Sequence, residues 1–359
     1  MSNYLSTLND ETQEYFKILT AEYPLWLDDY IFTKEMQRLK YIGISCGMDY
    51  AGSFKNARFY SNLEHSVGSA LIVWNFTKSK EQTLAALFHD IACPAFKHCI
   101  DFLHGDHENQ EATEYLTEEI IVNSKDIRNL LKRDNINFEE VIDYKMYPIA
   151  DNETPRLSSD RLEYTFSSGL NFFRVWDLDI IKKTYDDLTI LINEDGIEEI
   201  GFKNLTICEN YIDIASTLWP KWISTPDKVS MQFIADIIKV MINRNYLSLE
   251  DLYKLKESEI VAKILNCPDT KISDAFKLFQ EKEVSESQIP VENKYCVSIN
   301  SKTRYVNPLV KTNDNVKRIS EISYEAKMKI DAYLNNKTTK YGYIDLCFNP
   351  NEYVKKYKK

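Results

Sequence analysis

All five histidines of this 359-residue chain lie between His65 and His107, and one of them is followed at once by an acid, in His89-Asp90. Whatever the chain folds into, its imidazole chemistry is confined to the elements built from that stretch. Neutral imidazole is the commonest metal ligand and a common general acid or base. A histidine cluster with an adjacent carboxylate therefore points to metal-assisted chemistry. Glycine (9) and proline (10) are scarce, which suits long helices. The same scarcity disfavours a Gly-rich dinucleotide-binding chain, and no G-x-x-x-x-G-K phosphate loop is present.

The helix signals are explicit. Ser61-x-x-Glu64 is a capping box ahead of the apolar run Leu63 to Phe76, and it predicts a helix starting just before His65. Ser79-x-x-Gln82 repeats the device and predicts a second helix ending near Pro94, with a third over about 95–103 and a fourth, capped by Asp106, over 107–119. After a break at Asn152-Glu-Thr-Pro155, a helix over 158–168 carries Asp160 in its first turn. Further helices are expected near 177–193, 207–218, 227–244, 248–257 and 269–282, with Ser248 and Ser273 as N-caps. From about Ser285 the pattern changes to short strands over 294–299 and 303–306, a helix near 322–335 and a strand near 341–348. The expected fold class is all-α: a helical core over 1–175, a helical extension over 176–284 packed on it, and a small mixed α+β C-terminal segment over 285–359.

Charge and cysteine usage remove several function classes. A net charge of -11 argues against a broad nucleic-acid footprint, since such surfaces are basic. A small anionic substrate stays compatible, because a bound cation reverses the local field. The seven cysteines form no C-x-x-C pair, so zinc knuckles and redox motifs are not indicated. The N-terminal string has no basic region followed by an apolar one, and no apolar run reaches the ~20 residues of a membrane helix. The expectation is a cytoplasmic protein with no membrane partner, and the lysines at 355–359 are expected as a solvated tail.

Small residues surround both key histidines: Gly68 and Ser69 lie a turn beyond His65, and Ala85 and Ala86 a turn before His89. Helices with such faces approach closely enough for two imidazoles to share one ion at ~2 Å. Asp90 adjoins His89, and Asp160 at the start of its own helix is the candidate second carboxylate.

His65, then His89-Asp90, then Asp160 form the order H…HD…D. With Glu64-His-Ser-Val-Gly68, Leu84-Ala-Ala-Leu-Phe-His-Asp90 and Ser159-Asp-Arg-Leu-Glu-Tyr164 around them, the chain resembles the HD-domain superfamily of metal-dependent phosphohydrolases. Phe96-x-His98-x-x-Asp101 and His107-Glu-x-Gln110 are most similar to its deoxynucleoside triphosphate triphosphohydrolase branch, over about residues 35–170. The resemblance implies one divalent cation (manganese, magnesium, iron, cobalt, nickel or zinc) on His65, His89, Asp90 and Asp160. Such an ion activates water and polarises a phosphoryl oxygen. It further implies His98, Asp101 and His107 at the scissile phosphate, Arg161 near the phosphates, and Tyr164 lining the nucleotide pocket. The alternative for the four ligands is a set of polar core residues satisfying one another.

His98 and Asp101 are three apart on one helical face, where the carboxylate would orient the imidazole and favour its protonated form. Arg161 has an alternative as the ion-pair partner of an acid such as Glu163. Arg304 and His104 are expected in solvent. Two departures from the resembled branch stand out. Its usual H-D-x-G-H is here His89-Asp-Ile-Ala-Cys93, and its usual arginine ahead of the E-H-S string is here Asn62, at the expected substrate, with Arg58 the nearest substitute.

The implied reaction is hydrolysis of a small anionic nucleotide or phosphate ester. The leading substrate is a deoxynucleoside triphosphate, cut to nucleoside and tripolyphosphate; a phosphomonoester or cyclic nucleotide is the variant within the superfamily. A nucleotide-binding regulatory protein with little turnover is the competing class. The resemblance also implies a homo-oligomer, with the C-terminal segment as a contact.

Overall fold

The capping box at Ser61 closes as the sequence predicts. The Ser61 hydroxyl accepts from the Glu64 N–H at 3.1 Å while the Glu64 carboxylate accepts from the Ser61 N–H at 2.7 Å, starting helix α1 (Asn62–Thr77). In the computed structural model, which describes residues 3–104, 116–300, 302–313, 315–336 and 341–354, this helix is buried from Leu63 and His65 to Val73. It is the central rod of the fold. Ser79 caps α2 (Lys80–Phe88), which packs back against α1. Ser158 caps the third element of the cluster (Ser159–Ser167), which also lies against α1. A Cβ at Gly68 would stand 2.8 Å from Glu163 Cγ, so glycine is what allows this close approach.

Between α2 and α3 (Cys99–His104) the chain departs from the expected helices. The second helix stops at Phe88 rather than near Pro94, and the third starts at Cys99 rather than 95. Phe96 and Lys97 are both left-handed, with φ of 64° and 41°, a region that L-residues rarely adopt. The turn is held where the Phe96 N–H donates to Glu257 Oε1 at 3.0 Å. Most of the expected helix over 107–119 lies outside the described residues, and a short helix follows at Thr117–Asn123.

The Ser159–Ser167 helix is α4, and two long helices come later: α5 (Leu205–Trp222) and α6 (Thr225–Asn243). The segment over 177–193 corrects the sequence expectation. Its helix ends at Asp186, and Leu-Thr-Ile-Leu-Ile then forms strand β1 (Leu188–Ile192), antiparallel to β2 (Glu198–Phe202). Gly196, with φ of 78°, makes the turn between them. The expected helix at 248–257 divides into Leu249–Lys254 and Glu257–Leu265, and Asp269 rather than Ser273 caps Thr270–Glu281.

The C-terminal segment is mixed, as expected, and its strands complete two small sheets. In the first, β3 (Ser285–Ser287), β4 (Tyr295–Val297) and the late strand Tyr341–Ile344 form a three-stranded antiparallel sheet with the late strand in the middle. In the second, β5 (Leu309–Lys311) pairs parallel with β2 and antiparallel with β6 (Val316–Arg318). The strand expected over 303–306 is not formed; pairing begins at Leu309. The helix Tyr324–Leu334 packs on α5. Buried side chains divide into two apolar clusters. One surrounds α1, α2, α4 and α5; the other surrounds α3, α6 and the helices over 249–281. No helix among the described residues is long and apolar enough to cross a membrane.

Candidate metal centre and substrate cavity

His65 sits in the first turns of α1, buried against α4. Its Nδ1 is hydrogen-bonded to Glu163 Oε2. Glu163 is fully buried and also accepts from the hydroxyls of Tyr60 at 2.8 Å, Ser167 at 3.2 Å and Tyr15 at 3.3 Å. His89, just past the end of α2, places Nδ1 2.7 Å from the Ala86 carbonyl, which can only accept. In their neutral forms both rings therefore carry the proton on Nδ1 and present the Nε2 lone pair.

Those two lone pairs face one another. Nε2 of His89 lies 3.2 Å from Nε2 of His65, and Asp160 Oδ1 lies 3.1 Å from the first-turn histidine and 3.6 Å from His89. Three electron-pair donors this close require a positive charge among them, a shared proton or a cation. Ligand bonds of ~2.1 Å at angles between a right angle and a tetrahedral one separate donors by ~3.0–3.4 Å. Two of the three separations lie in that range and the third, 3.6 Å, just beyond it, so His65, His89 and Asp160 could hold a cation.

Protonation shows the same convergence. Burial opposes charge on His65, but Glu163 and Asp160 outweigh it and lift the imidazole to about 9. Burial would raise the Asp160 carboxyl, yet His65 and His89 hold it below the usual range. A proton and a metal ion thus compete for the same lone pairs.

Asp90, the fourth expected ligand, turns one oxygen toward this group. Its Oδ2 is 3.4 Å from His89 Nε2 and 3.8 Å from His65 Nε2. The same oxygen is 2.7 Å from the ammonium of Lys97, a residue the sequence reading missed. Lys97 Nζ is also 2.7 Å from Asn62 Oδ1. Asn62, expected at the substrate, is fully buried behind Lys97 and is absent from the cavity wall. Cys93 is likewise buried away from it, and Arg58 is ion-paired with Glu11 at the surface.

A cavity of about 730 Å³ opens over the triad. His98 lines it, with Nδ1 2.8 Å from Asp101 Oδ2, so the expected pair is formed. The expected protonation is not: burial, with help from Arg304 and Lys97, outweighs Asp101 and lowers the His98 pKa. Arg161 also reaches the wall, and its guanidinium is held by Asp151 Oδ1 at 3.3 Å, the Arg156 carbonyl and Asn152. Glu163 points the other way, so Asp151 is the acid that Arg161 meets. Tyr164 stands edge-on to Trp222 at 5.3 Å, and both line the cavity with Phe172, Phe173, Met48 and Met231. Arg304, expected in solvent, lines it too, beside Lys302. His107 lies outside the described residues, as does the His104 side chain.

No protein-family model matches the chain. It is similar to the uncharacterized protein YdhJ of Bacillus subtilis, 24% identical over 309 residues that span 84% of this chain and 89% of that protein. A stretch of 143 residues, 38% of this chain and 39% of the relative, is 25% identical to the metal-dependent phosphohydrolase cns2 of Cordyceps militaris. Among solved structures, a phosphohydrolase from Bacteroides thetaiotaomicron superposes with a TM-score of 0.61 at 14% identity, over 89% of this chain and 95% of that one. A hypothetical protein from Aquifex aeolicus gives 0.58 at 16%, over 90% and 94%. The chain shares its fold with that Bacteroides phosphohydrolase. Within this fold, the triad sits where α1, the end of α2 and the start of α4 meet.

Proposed function

We propose that the chain is a metal-dependent phosphohydrolase acting on a nucleotide-sized phosphate ester, with a deoxynucleoside triphosphate as its candidate substrate. The observation that carries this reading is the convergence of three electron-pair donors, His65 Nε2, His89 Nε2 and Asp160 Oδ1, at the wall of a large cavity. These residues, with Asp90 as the fourth, would hold one divalent cation. When bound, such an ion supplies water activated for attack at neutral pH and positive charge for the phosphoryl oxygens.

The rest of the work falls to the chain's own groups. Glu163 and the Ala86 carbonyl fix the tautomers that aim both imidazoles. His98, kept neutral by burial and oriented by Asp101, offers its Nε2 to the cavity as a proton acceptor. Tyr164, Trp222 and the phenylalanines beside them give a planar base or other ring an apolar surface to lie against. Arg161, Lys302 and Arg304 bring positive charge to the cavity of an otherwise acidic protein.

A product assay tests this. The protein, supplied separately with manganese, magnesium, cobalt or zinc, is incubated with deoxynucleoside triphosphates, ribonucleotides and phosphomonoesters. Free nucleoside from a deoxynucleoside triphosphate supports the full proposal; inorganic phosphate from other esters keeps the hydrolase and changes the substrate. The second reading is a nucleotide-binding regulator, and it is favoured by Asn62 and Cys93 both lying off the cavity wall. Tight nucleotide binding with no product from any ester would select it.

A further inference from the structure

The ligand geometry leaves one charged group at the metal end without a role, the ammonium of Lys97. The residue is 5% exposed, a depth at which lysine is rarely found unless paired. Two acceptors hold it: Asp90 Oδ2 and Asn62 Oδ1, each 2.7 Å from Nζ and each on a buried residue. An ammonium has three protons in a tetrahedral spread. Two are spent on these partners, and Lys97 shares the cavity wall with His65, His89 and Asp160.

The backbone is bent to bring it there. Phe96 and Lys97 are consecutive left-handed residues, neither of them a glycine, and Glu257 fixes the turn by accepting the Phe96 N–H. Strain of this kind persists only where the surroundings over-determine it, and it gathers at functional sites. At residue 62 an acceptor, not a cation, faces Nζ, so the fixed positive charge beside the triad comes from Lys97.

We propose that Lys97 is a phosphoryl-oxygen contact, whose third proton points into the cavity toward the anion that the triad's ion holds. The proposal rests on reading the triad as a metal centre. Asp90 and Asn62 then act as positioning residues: they aim the ammonium and keep it charged while leaving one proton for the ligand. One strong donor beside one cation suits a single phosphoryl group held by two of its oxygens. The ligand class is therefore a phosphate carried on any leaving group, with the rest of the molecule read by the aromatic wall.

Inorganic phosphate is the probe that tests this, titrated calorimetrically into full-length protein loaded with zinc. Lys97→Met should keep its metal and bind phosphate at least tenfold more weakly than the unaltered protein, and Lys97→Arg should recover part of the loss. A Lys97→Met protein with full metal content and unchanged phosphate affinity overturns the proposal, as does a zinc-loaded unaltered protein that takes up no phosphate. A lysine that merely tethered Asp90 would change metal affinity and leave the phosphate affinity of the loaded protein alone.

Should Lys97→Met fail to fold, the lysine ammonium resonances of ¹⁵N-labelled protein give the answer, with Lys97→Arg supplying the assignment. Phosphate must shift the Lys97 signal; saturation without a shift overturns the contact. Lys97-dependent phosphate binding in a protein that hydrolyses no ester would keep this inference and discard the hydrolase reading. Hydrolysis and phosphate affinity both undiminished in Lys97→Met would do the reverse.

Discussion

The two apolar clusters meet the same cavity with opposite electrostatic designs. The cluster around α1, α2 and α4 presents Nε2 atoms backed by acceptors on Nδ1, and the Asp160 carboxyl is held ionised. The cluster around α3 and α6 presents groups that burial keeps neutral. His98 is pushed down, and Asp227 on the cavity wall is pushed up to about 8, with Arg304 only partly offsetting its burial. Glu257, behind Phe96, is likewise pushed to about 8. One side is built to attract a cation and the other to avoid competing for it. Lys97, on the seam, joins them through Asp90.

The largest way to break this contrast is Asp160→Ala. It removes the carboxylate oxygen that stands 3.1 Å from His65 Nε2, and bound metal and turnover should vanish together. Metal analysis of the dialysed protein beside the product assay checks it, and turnover without metal would sink the division of labour. His98→Ala on the other side should instead leave metal content untouched while turnover falls ~10²–10⁴-fold, the range typical of a lost proton acceptor. Metal loss in that variant would erase the contrast.

A smaller effect sharpens the picture behind the triad. Glu163→Gln keeps the shape and removes the charge that lifts His65, so metal affinity should fall about 10–100-fold, as read by chelator competition. The smallest effect concerns pH. Glu257 holds a proton in the folded state up to about 8 but loses it near 4.5 when unfolded. Its contribution to stability is therefore complete below the ordinary carboxyl range and is lost as pH rises through about 8. Thermal melts of Glu257→Gln should show a flatter decline between those limits and a Tm higher than the unaltered protein by roughly 2–4 °C above pH 8. Parallel melting curves for the two proteins across that window would contradict the raised pKa.

How much of this was legible depended on the kind of signal. Ser61, Ser79 and Ser248 announce their helices because capping is local chemistry that needs no knowledge of the fold. The ligand types were legible because histidine is rare here and appears in a telling order. The strand at 188–192 was not, since a short apolar run fits a strand or a buried helix equally well. Glu163 entered only as an alternative ion-pair partner for Arg161, although its spacing of three from Asp160 places both on the face of α4 that meets α1. Lys97 was lost because nothing in Pro-Ala-Phe-Lys announces two left-handed residues without glycine. The cavity wall from Trp222, Met231 and Arg304 depends on segments far apart in sequence, brought together only by tertiary packing.

His65, His89 and Asp160 are proposed to hold one ion. A crystal grown with manganese, measured by anomalous scattering, tests this most directly. One strong peak is expected, bonded to both Nε2 atoms and to Asp160 Oδ1 at ~2.0–2.3 Å. No peak there, or a manganese bound elsewhere with the two imidazoles still facing each other, would contradict it.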